Sequence, residues 1–202
     1  MSSSLSFVQN LDLSQMMAIE INGKRILLIA IELILFGSFI WALVWWFQKT
    51  LVVKRWELTF IKVSGIVFVL AHLLAATFSV LPSPVIYWIG VGLLLLSALI
   101  FFWSLSVYQS PPAVAFAVEN LTALNTKGPY QFIRHPFYTS YLIAWFAGSL
   151  ASGCYYLLAT CAIMLFIYHR AAKEEEALWL SGKDADTYKD YITKAGMFLP
   201  RL

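Results

Sequence analysis

Residues 26–47 read ILLIAIELILFGSFIWALVWWF, 22 consecutive positions with one ionisable side chain, Glu32. At about 1.5 Å per residue a helix of that length reaches roughly 33 Å, enough to cross a hydrocarbon core about 30 Å thick. Residues 60–81 and 85–107 are of similar length and are parted by Pro82-Ser83-Pro84, whose prolines fix φ and interrupt a helix. The last apolar block, 138–168, is broken at Gly148-Ser149 and Ser152-Gly153 and reads as two short tilted spans or a re-entrant hairpin. Either way its two ends share a side. The fold class expected is all-α, a polytopic membrane protein of about five transmembrane helices with a cytoplasmic C-terminal helical cap.

The rest of the composition agrees. Of the 202 residues 60% are hydrophobic and 12% charged, so a water-soluble surface cannot be covered and lipid is the solvent. The net charge of +3, with no basic tract interleaved with aromatics, argues against a nucleic-acid surface. Cys154 and Cys161 lie seven apart in one expected helix, about 10 Å by rise, too far for a disulfide. No His and Cys spacing suits a metal. The N-terminal 22 residues lack a basic n-region and a cleavage site, so the first span is expected in the mature protein, and the first twenty read as an interfacial helix. Of the 14 Lys and Arg, only Lys24 and Arg25 precede span one. The other twelve flank the far ends of the spans, and the two short turns carry none. This asymmetry predicts the N-terminus outside and the C-terminus in the cytoplasm.

Residues 108–137 are too polar to span and long for a connection, and such loops usually have a task. Two polar clusters bracket the final apolar block. The first is Gly128-Pro129-Tyr130-Gln131-Phe132-Ile133-Arg134-His135-Pro136-Phe137-Tyr138; the second is Arg170-Ala171-Ala172-Lys173-Glu174-Glu175-Glu176-Ala177-Leu178. A hairpin between them brings a cation, an imidazole, phenols and carboxylates to one membrane edge, a candidate pocket. Beyond it, residues 170–180 and 184–194 read as two short cytoplasmic helices, divided at Ser181-Gly182.

At these residues the chain resembles the isoprenylcysteine carboxyl methyltransferases and their relatives, the phospholipid N-methyltransferases. The family pattern of Gly-Pro-Tyr followed by Arg-His-Pro-x-Tyr stands here as Gly128-Pro129-Tyr130 and Arg134-His135-Pro136-Phe137-Tyr138. Its Arg-x-x-x-Glu-Glu-x-x-Leu motif stands as Arg170, Glu174-Glu175 and Leu178, and its Tyr-x-x-Tyr before a proline as Tyr188, Tyr191 and Pro200. The match covers residues 124–202. One departure is Ser140, where the family usually has Gly; a hydroxymethyl there is expected to narrow the room beside the cofactor. The resemblance divides the chain into residues 1–107, the N-terminal segment with three spans, and 108–202, the catalytic region.

It implies S-adenosylmethionine as cofactor, a lipophilic methyl acceptor as partner, and entry of that acceptor from membrane lipid. Cofactor contact is implied for His135, Tyr138 and Glu174 or Glu175, with Gly128, Tyr130 and Pro136 completing the set. The chemistry is consistent: the ammonium of such a donor wants a carboxylate, Glu174 or Glu175, and its sulfonium an electron-rich face such as Tyr130 or Tyr138, a cation–π contact of about 0.5–2 kcal/mol. A carboxylate acceptor would be held by Arg170 or Arg134. An amine or phenol acceptor would need a base, His135 or a glutamate such as Glu174. A carboxylate, as in isoprenylcysteine, is the acceptor expected; a phospholipid amine or another small lipophile is the alternative. Two other classes fit less of the pattern: a sterol-reductase-like nicotinamide enzyme and a small transporter.

Blander readings stand beside these. Arg134 and His135 alone would pass for positive-inside anchors, and Arg170 with Glu174 for a solvated i,i+4 pair. Lys62 reads as a snorkelling lysine and the tryptophans as interface and packing residues. Glu32 and His72, ionisable groups inside spans, lie about 9 and 13 Å from the outer ends of their helices, depths at which they can meet as a structural pair.

Overall fold

Proline and glycine punctuation places several of the helix ends. The computed structural model describes residues 13–47, 55–108 and 124–201. Helix α1 spans Leu13–Trp41 and closes in a π-helical turn, Ala42–Trp46; α2 spans Arg55–Phe78. Helices α3, Pro84–Ser106, and α4, Pro136–Ser152, each begin with a proline in the first turn, where the missing N–H costs no hydrogen bond. Helix α4 stops at Gly153, whose φ of +72° is the left-handed cap that glycine adopts most readily. Helix α5 spans Leu158–Ser181 and α6 Ala185–Lys194. No strand occurs among the described residues; one isolated parallel bridge joins Ile133 to Gly196.

The all-α membrane class holds. Among the described residues four helical stretches are long and apolar enough to cross a bilayer: Gln15–Trp46, Thr59–Phe78, Pro84–Ser106 and Tyr155–Ser181. Helix α4, with 17 residues and about 25 Å of rise, is shorter than these and differs in kind. Twelve of its residues are buried, many of them Ala, Gly, Ser or Thr, and it packs against α3, α5, α2 and α1. Small residues let helix backbones approach closely in lipid, so α4 is the interior helix around which the others assemble.

Some boundaries differ from expectation. Helix α1 starts thirteen residues before the apolar run, because nothing between Leu13 and Ile26 breaks a helix and Lys24 pairs with Glu20 at 2.6 Å. The interfacial helix expected over the first twenty residues is in its described part the start of α1; residues 1–12 lie outside the described residues, as does 109–123 of the long loop. The stretch 170–180 is no separate helix but the end of α5, since no breaker stands before Ser181.

Two ends of the bundle are defined by contacts. At one, the Arg25 guanidinium donates to the carbonyls of Thr77 at 2.5 Å and Ser79 at 2.7 Å, closing the C-terminus of α2. Tyr87 donates to the Lys24 carbonyl there at 2.7 Å, and Gly153 lies against Val80 and Pro82. At the other end lie Phe47, the turn before α4 and the polar end of α5. Between them, His72 Nδ1 lies 3.9 Å from Glu32 Oε1, both side chains fully buried, so the two intramembrane residues do meet. His72 Nε2 lies 3.2 Å from the Thr160 hydroxyl.

Candidate functional site

The turn preceding α4 is held from three directions. Gly128, at φ +58°, opens a 3-10 turn, Gly128–Gln131; a Cβ there would fall 2.4 Å from Val107, so both conformation and space demand glycine. Tyr191 of α6 donates to the Tyr130 carbonyl at 2.6 Å. The chain after α6 then runs beside the turn: Gly196 donates to the Phe132 carbonyl at 3.0 Å, Arg134 to that of Gly196 at 2.8 Å, and His135 to that of Met197 at 3.1 Å. Thr139 adds a bond from its hydroxyl to the Phe198 carbonyl at 2.8 Å. These bonds fix Arg134 and His135 against the last turns of α5.

There the two polar clusters converge. Arg134 Nε donates to Glu176 Oε1 at 2.8 Å and its Nη1 to the Ala195 carbonyl. His135 Nε2 lies 3.2 Å from the same Glu176 oxygen, and His135 Nδ1 lies 3.4 Å from Glu175 Oε2. The Tyr138 hydroxyl donates to Glu175 Oε1 at 2.5 Å. The His135 ring stacks on Tyr138 at 5.6 Å, and Tyr138 on Tyr168 at 5.1 Å and only 8° from parallel. Burial alone would lower the His135 pKa, but its bonds to Glu175 and Glu176 and their charges outweigh that and raise it above the ordinary histidine value. The imidazolium is therefore favoured between two carboxylates.

This cluster closes one end of a cavity of about 340 Å³, within the range of small-molecule sites. Tyr130, Arg134, His135, Tyr138 and Glu175 form its polar end. Its walls are successive turns of four helices: Phe36, Ile40 and Val44 on α1, Ile61, Gly65 and Val69 on α2, Phe137, Tyr141 and Trp145 on α4, Met164 and Tyr168 on α5. From Glu175 back to Met164 is about 16 Å of helical rise, so the chamber runs from the polar edge well into the bundle. Phe36 stacks on Trp145 at 4.7 Å across its deep end.

Not every residue expected at the site is on its wall. Tyr130, Arg134, His135, Tyr138 and Glu175 are. Gly128 and Pro136 shape the backbone that presents them and do not line the cavity. Arg170 and Glu174 pair with each other at 3.6 Å, are much more exposed, and lie off the wall. Ser140 does not narrow the chamber: it is buried toward α3, its hydroxyl donating to the Phe137 carbonyl and its own carbonyl accepting from Ser97, each at 2.7 Å.

Two participants escape a reading from motifs. Glu176 joins Arg134 to His135, and Tyr168 extends the stack behind Tyr138. Helical phase identifies both: buried Met164, Tyr168, Ala172 and Glu176 recur every four residues, Glu175 flanks that face, and Glu174 is turned away from it.

The site sets an accepting carboxylate, Glu175, and the parallel rings of Tyr138 and Tyr168 beside an apolar chamber. No cluster of three or more His, Cys, Asp or Glu able to hold a metal occurs among the described residues. Residues 85–182 match the family model of the phospholipid methyltransferases. No curated protein is similar enough to the chain to count as a match.

Proposed function

We propose, for a chain that belongs through residues 85–182 to the phospholipid methyltransferase family of membrane methyltransferases, that it methylates a lipophilic acceptor with S-adenosylmethionine at the inner membrane leaflet. One observation carries this reading: Glu175, His135 and the Tyr138–Tyr168 stack converge at the polar end of a chamber whose remaining wall is apolar and intramembrane.

When bound, S-adenosylmethionine supplies an electrophilic methyl group on a sulfonium, open to in-line attack. The residues have to orient and desolvate rather than form a covalent bond. Glu175 would hold the donor's ammonium, and Tyr168, with the ring face that Tyr138 does not cover, would lie against its sulfonium, where burial strengthens a cation–π contact. Glu176 orients this set, holding Arg134 and His135 at its one oxygen. His135, charged between two carboxylates, is a positioning group in this state and turns into a base only when it loses its proton. A carboxylate acceptor, already ionised, needs no such base. The apolar walls of α1 and α2 would take the acceptor's tail. Isoprenylcysteine-like carboxylates and phospholipid amines are both candidate acceptors. The polar edge is the cytoplasmic one, in keeping with the excess of Lys and Arg outside the Lys24 and Arg25 end.

Calorimetric titration of S-adenosylmethionine and, separately, NADPH into the purified protein in detergent tests the reading. Binding of the first and not the second is expected, with transfer of a labelled methyl group to a prenylated cysteine or to phosphatidylethanolamine. A wild-type protein that takes up no S-adenosylmethionine removes it.

A further inference from the structure

We infer that Lys62 binds the anionic group of the amphiphile that enters the cavity, an inference that rests on reading the cavity as the acceptor's chamber. Lys62 stands on α2 and lines the cavity wall. Its Cα–Cβ bond tilts toward the N-terminus of α2, as in any α-helix, so its stem points to the polar end and not to the deep one. Among the described residues no carboxylate lies within ion-pair distance of it.

The other cations are differently engaged. The charge of Arg134 is met by Glu176, with a second bond to the Ala195 carbonyl. His135 lies between Glu175 and Glu176. Arg170 lies off the wall beside Glu174. An ammonium on the wall of a chamber that Ile61, Ile66 and Val44 also line gains most from an anion carried in on an apolar tail. Next along α2, Gly65 leaves space: a Cβ there meets nothing within 4 Å. The occupant is therefore a long-chain molecule with a negative group near the lysine, a carboxylate or a phosphate.

Paramagnetic resonance of chain-labelled probes in phosphatidylcholine nanodiscs at pH 8 tests this with full-length protein. The probes are spin-labelled stearic acid, its methyl ester and spin-labelled phosphatidic acid. Wild type should immobilise at least one anionic probe about fivefold more than the ester. The acid dominating identifies a carboxylate ligand, and phosphatidic acid dominating a phosphate. Lys62→Gln should abolish the preference and Lys62→Arg keep it, both with wild-type thermal midpoints. A wild type that holds ester and anions alike, or a Lys62→Gln protein with the preference intact, overturns the inference. S-adenosylmethionine titration of the same wild-type preparation reports on the methyltransferase reading separately, since the probes need no donor.

Discussion

At the scale of single residues, three neighbouring glutamates have three different fates. Glu174 faces out beside Arg170, Glu175 faces the cavity, and Glu176 is buried on Arg134 and His135. Removing one partner of a buried pair strands the other charge, so Glu176→Ala should cost about 3–5 kcal/mol of stability. Glu175→Ala takes the acceptor from the buried Tyr138 hydroxyl but leaves His135 its bond to Glu176, so it should cost less, about 1–2 kcal/mol, yet lower S-adenosylmethionine affinity about tenfold or more, the worth of a charge-assisted bond. Thermal melts and calorimetry on the two variants check this, and equal losses of stability would contradict the division. The His135 pKa carries a further expectation. Because it is raised in the folded protein, the charged ring's contribution to stability is complete below about pH 6.5 and is lost as pH rises through the raised value. The thermal midpoint of the wild type should thus fall as pH climbs above about 6.5, and His135→Asn should flatten that slope. Identical profiles for the two proteins would refute the assignment. The motif positions were legible in the sequence, because a cation, an imidazole and phenols at one membrane edge have few structural uses; Glu176 was not, because adjacent glutamates are told apart only by the face of α5 that is buried.

At the scale of helices, the tightest fit is between α3 and α4. A Cβ at Gly90 would stand 2.7 Å from the Ala151 nitrogen and 2.8 Å from its Cβ, whereas one at Gly92, half a turn away, would meet nothing within 4 Å. Gly90→Ala should therefore destabilise the protein by about 1–3 kcal/mol through overpacking, while Gly92→Ala, free of contact, should stabilise it by up to about 1 kcal/mol through helix propensity. Opposite shifts in thermal midpoint are the expected result; a common sign would show that the α3–α4 approach is looser than described. Gly148 has a similar place on α4, where a Cβ would come within 2.7 Å of both His72 and Glu32. The small residues that look like a broken span in the sequence are the surface by which α4 receives its neighbours.

At the scale of the whole molecule, the apolar runs and the one-sided basic residues determined by themselves that the chain is a helical membrane protein with two unlike ends. A helix long enough to cross lipid satisfies its own backbone whatever surrounds it, and that property is local. The sequence likewise carried the pairing of the two polar clusters, since the apolar block between them returns to its starting side. Only tertiary structure decided that α4 is interior, that the cavity lies between α1 and α2 against α4 and α5, and that Lys62 shares its wall with Glu175. These depend on which faces of different helices meet. Lipid gives no hydrophobic reason to prefer one apolar face over another, so close packing of small side chains makes the choice, and hydropathy does not record it.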